Sequence, residues 1–189
     1  NTTPEEIEML YHCNYGPPFL EEGSQLVAPV KRAAPRDQRA REDLTTLSEF
    51  RGPTKGYVEQ VYFYELLGDS SGKSQVMLRN KGGDLGTSMN FSLEQMPCFS
   101  LWKNTASLKN GYVTGLEPGS NFPNPKRFER ENGRVVLLEP MASSKFELSL
   151  EVHLGIEAVS EVEKEINLLQ GSTSPEILEF APKNLSAAT

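Results

Sequence analysis

The chain has 189 residues, a formal net charge of −7 and a pI near 5.0. That length supports one domain with a sizeable core rather than two, and the acidic balance excludes a nucleic-acid footprint, which needs a basic face. No apolar run reaches the roughly 20 residues of a membrane span, and Cys13 and Cys98, with no CxxC spacing or histidine company, read as buried free thiols in a reducing, cytoplasmic setting. The sequence opens on Asn1-Thr2-Thr3-Pro4 with neither Met nor a charged-then-apolar leader, as a processed or excised piece of a longer protein would.

In chain order, Tyr11-His12-Cys13-Asn14-Tyr15 reads as a strand ending in the turn Gly16-Pro17-Pro18. Arg36–Leu44, charged and placed after Pro35, reads as a helical turn on a long loop. Residues 57–66 alternate with bulky, partly polar groups on both faces, as in mid-sheet or beside a cleft. Asp69–Lys73 is a hairpin turn into Gln75–Arg79, and Asn80–Gly86 is a second Gly-rich turn before Thr87–Leu93. Phe99–Lys103, the run ending at Glu117 and Arg134–Leu138 add further strands. Residues 145–154 alternate most clearly: Phe146, Leu148, Leu150, Val152 and Leu154 form a face expected to lie on a core. Residues 160–170 show helical spacing of Val162, Ile166 and Leu169 behind a Ser160 cap, and Asn184–Thr189 is expected to fray. Many short strands with Gly/Pro turns predict a mainly β fold over residues 1–189, an antiparallel β-sandwich with one short C-terminal helix.

Residues 111–124, Gly-Tyr-Val-Thr-Gly-Leu-Glu-Pro-Gly-Ser-Asn-Phe-Pro-Asn, carry the most chemical information. An apolar run ends in one acid, Glu117, and Pro118-Gly119 then break the strand. A carboxylate at the exit of a buried strand is costly unless hydrogen-bonded, mouth-facing or useful; it is either a turn acid or a catalytic group. His12, on another strand that ends in a turn, supplies the complementary group for proton transfer.

Leu10–Pro18, Val58-Glu59-Gln60-Val61-Tyr62-Phe63, and Leu101-Trp102-Lys103 leading to Gly111-Tyr112-Val113-Thr114-Gly115-Leu116-Glu117-Pro118 together resemble the galactose mutarotase-like superfamily, the aldose 1-epimerases and their relatives, in an uncharacterised bacterial branch. The resemblance covers about residues 5–155 and implies a β-supersandwich, possessed here only in part, with a sugar cleft across one sheet. It implies that His12 is the general acid and Glu117 the general base of sugar ring opening and reclosure, with a small carbohydrate as substrate and no metal or organic cofactor. Glu59 matches a position where mutarotases carry a sugar-gripping aspartate; the alternative is a strand Glu paired with Lys55 or Arg79. Trp102, the one tryptophan, either stacks on a pyranose or packs in the core. Lys103 either borders the cleft or is solvated, Asn14 either serves the site or its turn, and Arg127 and Arg130 either bind an acidic sugar substituent or are surface charges.

Characterised mutarotases also take a second histidine and an arginine from the first half of the fold. Residues 1–11 hold neither, and His153 on a late strand does not match. The chain therefore looks like a C-terminal half, whose open sheet edge would be covered by a missing N-terminal half or by self-association. Three readings follow: an anomer-interconverting enzyme, a carbohydrate-binding or sensing module without turnover, and an accessory domain of a polysaccharide-processing enzyme. The third expects a flat apolar face along Thr87–Leu101.

Overall fold

The computed structural model describes residues 1–188. Its strands in chain order are β1 (Glu5–Ile7), β2 (Cys13–Tyr15), β3 (Gln25–Val27), β4 (Val30–Pro35), β5 (Gln60–Leu66), β6 (Lys73–Arg79), β7 (Leu85–Ser92), β8 (Cys98–Thr105), β9 (Tyr112–Gly119), β10 (Val136–Leu138), β11 (Leu148–Leu154) and β12 (Glu176–Ile177), with helices α1 (Gln38–Arg41), α2 (Lys126–Glu131) and α3 (Ile156–Gln170). A six-stranded sheet in the order β12-β4-β5-β8-β9-β2 packs on a four-stranded sheet in the order β11-β7-β6-β3, and β1 pairs with β10. All pairs are antiparallel except β12 with β4.

The period of two builds the layers. Tyr62, Tyr64, Phe99, Leu101 and Leu116 from one sheet meet Val76, Leu78, Met89 and Phe91 from the other in the main core. The opposite face of the six-stranded sheet is also covered: Val61, Phe63 and Cys98 pack with Phe122, Ala181 and Leu185. This accounts for the bulk on both faces of β5. The outer face of the four-stranded sheet carries α3, whose Val159, Val162 and Ile166 sit on Met77. That helix begins after Gly155, at φ 90°, rather than at a Ser160 cap, because Gly155 turns the chain directly out of β11 and its N–H bonds Asp84 O at 2.7 Å.

Three further expectations are revised. Residues 184–188 are held in place: Leu185 and Ser186 are buried, Leu185 O accepts from Asn124 Nδ2 at 3.0 Å, and Ala187 N–H donates to Asn124 Oδ1 at 3.0 Å. Thr189, the end of the expected frayed tail, lies outside the described residues. The apolar face of residues 145–154 is the second revision. Phe146 and Leu148 do reach the core, but Leu150, Val152 and Leu154 are 55%, 60% and 72% exposed. β11 ends its sheet, and these three side chains lie beyond the part of it that the core covers. Thr87–Leu101, third, offers no free apolar face: β7 is paired on both sides, and Met89, Phe91, Met96 and Phe99 belong to the core.

β2 and β11 close the two sheets on the same flank. Tyr11, just before β2, sends its hydroxyl to Phe146 O, just before β11, at 3.4 Å. Both strands are end strands, so two sheet edges and an apolar stripe open onto solvent side by side.

Candidate active site

β9 lies between β8 and β2. Its alternation sends Tyr112 and Leu116 into the core and Gly115 and Glu117 to the other face. Register fixes their neighbours: Gly115 lies opposite Trp102 on β8 and Asn14 on β2, and Glu117 lies opposite Ser100. Cys13 is paired with Leu116, so His12, one position earlier, comes alongside Glu117. A backbone bond from Tyr11 N–H to Pro118 O, 3.0 Å long, holds it there.

His12 Nε2 stands 3.1 Å from Glu117 Oε1; the imidazole is 47% exposed and the carboxylate 3%. Burial pushes the Glu117 carboxyl up to about 7, with His12 pulling it down, Glu59 raising it further and Arg36 lowering it. The imidazole approaches off the axis of a ring N–H, so Oε1 has no directed hydrogen bond from the described residues. The Ser100 hydroxyl across the ladder is also buried and has no hydrogen-bond partner among the described residues. A carboxylate oxygen with a free lone pair and a pKa near neutrality, beside a ring nitrogen that reaches solvent, can exchange protons with a bound hydroxyl.

Gly115 makes this approach possible. A Cβ there would fall 2.5 Å from Glu117 Oε1, 3.1 Å from His12 Cε1 and 3.3 Å from Trp102 Cε3. The absent side chain is the space into which the carboxylate folds. Gly119 serves the same end from the other side, since its missing Cβ would stand 2.8 Å from Met9 O, and the segment leading to His12 passes there.

Trp102 lies beside the pair, its ring edge-on to His12 at 5.4 Å. Its indole N–H donates to Glu59 Oε2 at 2.8 Å, and Arg36 Nη2 stands 3.6 Å from Glu59 Oε1. Glu59 is thus tied to Trp102 and Arg36, not to Lys55 or Arg79, and keeps an exposed carboxylate near the pair. Asn14 is exposed on the same face, opposite Gly115. Lys103 is not at the site. Alternation puts it on the face of β8 opposite Trp102, where it is 3% exposed and its ammonium donates to the carbonyls of Thr46, Leu47 and Glu49. Burial drives its pKa down to about 8, and it clamps the 46–49 loop from within the sandwich. His153 bonds Ser88 across the four-stranded sheet at 2.8 Å, while Arg127 and Arg130 pair on the surface with Glu131 and Glu6. Sequence reading missed Arg36, Ser100 and Gly115. Only Gly115, two positions before an acid on an alternating strand, carried a local signal.

A family model described as "Domain of unknown function (DUF4432)" matches residues 1–152. The chain belongs to this family. The DUF4432 chain also superposes on the 1.90 Å crystal structure of a "putative aldose 1-epimerase" from Klebsiella pneumoniae subsp. pneumoniae, with a TM-score of 0.93 and 36% identity over 97% of this chain. Its fold is of the galactose mutarotase-like type. It spans 47% of the length of the Klebsiella protein. No curated protein matches it. None of the described helices is long and apolar enough to cross a membrane, and both cysteines are free thiols.

Two outcomes are expected from this geometry. Gly115→Ala pushes the carboxylate off His12 at a stability cost of about 1–3 kcal/mol, and in an NMR pH titration the Glu117 side-chain carboxyl signal moves its inflection away from the wild-type value near 7. An unaltered titration would mean that the contact does not depend on this glycine. Because the folded Glu117 pKa of about 7 lies above the ordinary glutamate value of 4.5, its contribution to stability is complete below pH 4.5 and is lost as pH rises through 7. Glu117→Gln, which never ionises, therefore gains on the wild type by about 1–3 kcal/mol between pH 4.5 and pH 8 in urea unfolding. A gap independent of pH would contradict the burial argument.

Proposed function

We propose that this chain carries the acid/base pair of an aldose 1-epimerase-like isomerase that interconverts the anomers of a small carbohydrate. The observation that supports it most is the 3.1 Å contact between a half-exposed imidazole and a buried carboxylate whose pKa lies near neutrality. In the proposed reaction Glu117 takes the proton of the anomeric hydroxyl while protonated His12 gives one to the ring oxygen. The C1–ring-oxygen bond breaks, and the exocyclic C1–O bond becomes the carbonyl of the open-chain aldehyde. Rotation about C1–C2 and reversal of both proton transfers yield the other anomer. Both oxygens are bonded to the same carbon, so an acid and a base in contact before binding can reach them together. Glu59, oriented by Trp102 and Arg36, accepts sugar hydroxyls in this reading, and Asn14 borders the same face.

The substrate is proposed to enter from the solvent-exposed side of His12, next to the open flank formed by β2 and β11. For the isolated chain we propose that a second copy covers that flank through Leu150, Val152 and Leu154. In longer relatives such as the Klebsiella protein, the remainder of the polypeptide would take that place. A second reading is sugar binding without turnover, in which Glu59 and Trp102, already bonded to each other, hold a ligand beside the pair.

Anomer exchange followed by NMR on a panel of hexoses tests the isomerase. The expected kcat/KM rises with an apparent pKa near 7, and Glu117→Gln lowers it by a factor of about 100 or more. A rate indifferent to that substitution would remove Glu117 from the mechanism. Quenching of Trp102 fluorescence by sugar without faster exchange would leave the binding module in place of the enzyme. For the flank, light scattering should find a dimer that Val152→Asp converts to monomer; a wild-type monomer at about 100 μM would rule out the second copy.

A further inference from the structure

Buried polar atoms without a hydrogen bond are uncommon in folded proteins, and each asks for a physical reason. Among the described residues they are the hydroxyls of Tyr62, Tyr64, Ser100 and Thr105, Nε of Arg79 and Oε1 of Glu117. Tyr62 and Tyr64 lie in the core between the sheets, where alternation with Leu101 also sends Thr105. Arg79 belongs to the four-stranded sheet. Ser100 and Glu117 alone of this group share a face, and the ladder sets them directly opposite each other on β8 and β9.

The surroundings of Ser100 make that coincidence informative. Its neighbours on the same face are Cys98 and Trp102 along β8, Phe63 across on β5 and Glu117 across on β9. Phe122 lies over Phe63, with ring centroids 4.7 Å apart. Cys98 is a buried free thiol, and the Trp102 N–H already donates to Glu59. Of these four neighbours, Glu117 is the one whose side chain carries an oxygen acceptor. Cβ atoms directly opposite in an antiparallel pair lie about 4.5–5.5 Å apart, so rotation about side-chain single bonds brings a serine hydroxyl within bonding distance of a glutamate carboxylate. The other ionisable groups that bear on Glu117 come from other segments: His12 and Cys13 at β2, Glu59 before β5 and Arg36 after β4.

We propose that Ser100 is a positioning residue for Glu117: its hydroxyl donates to the carboxylate once the proton has left, and holds the ionised group on the face it shares with Trp102. This rests on the acid/base reading of the His12–Glu117 pair and adds to it the group that steadies the base between proton transfers. A hydroxyl suits the task because it can accept from the protonated carboxyl and donate to the ionised one. The bond to the ionised form is charge-assisted and the stronger of the two, so Ser100 favours the charged state against the burial that opposes it. Ser100 is fully buried, and acts through Glu117 without touching the sugar.

A carbon-13 NMR titration of the Glu117 carboxyl in the full chain, its signal assigned by loss in Glu117→Gln, tests this directly. Ser100→Ala should move the inflection upward by about one to two pH units. Ser100→Cys, which keeps the volume and replaces the hydroxyl by a weak donor, should move it in the same direction. If sugar is turned over, the kcat/KM limb follows by the same amount while KM stays within about twofold. An inflection that stays within about 0.3 unit of wild type in both variants, or moves down, overturns the role of Ser100. Because the readout is the carboxyl itself, an upward shift in a chain that turns over no sugar would support Ser100 while removing the isomerase.

Discussion

Burying a carboxylate costs several kcal/mol unless donors or a counter-charge are buried with it, and the ion-pair partner of Glu117 among the described residues is a half-exposed imidazole. The sheet holds this arrangement in place. β9 is paired along its whole length with β8, from Cys98↔Gly119 to Thr105↔Tyr112, so the backbone under Glu117 cannot yield to let water in. The glycine two positions earlier removes the volume that would otherwise force the side chain outward. The raised pKa is thus a property of rigid β structure and a missing methyl group, with the histidine moderating it.

The same sheet separates three environments. Toward the four-stranded sheet it presents the aromatic core and the Lys103 clamp. At one end of its other face, Phe122 and Leu185 seal Val61 and Phe63. Toward β2 that face stays open, and there the ionisable groups gather. The C-terminal segment matters in this division because it covers the apolar part and leaves the polar part uncovered. Arg36 links the two regions: its carbonyl accepts from Ser186 in that segment, and its guanidinium faces Glu59.

What was legible in the sequence followed from periodicity and from residues whose chemistry stands out. Alternation located β5 and β11, turn residues and short apolar runs located β6, β7, β8 and β9, and a lone acid at a strand exit with a distant histidine identified a pair that the structure brings into contact. Lys103 shows the limit of that reading. Alternation separates it from Trp102, but choosing which of the two faces the core requires the second sheet. Leu150, Val152 and Leu154 show another: a perfect apolar stripe says which side faces inward, not whether anything lies opposite it. α2 escaped notice because Lys126–Glu131 has a single large apolar residue, Phe128, and the helix is anchored by a buried Glu129–Arg134 ion pair, which leaves no periodic trace. The short β3 and β4, separated by Pro29, gave too few alternating positions to read.

The two members of the His12–Glu117 contact are fastened to the fold very differently. Glu117 stands on a fully laddered interior strand, whereas His12 hangs from a strand of three residues with one side unbonded. Thermal breathing of the molecule will therefore loosen His12 long before it disturbs Glu117. Deuterium uptake should be quick at residues 11–15 and slow along 112–119, so that the lifetime of the assembled dyad is set by its weaker mooring.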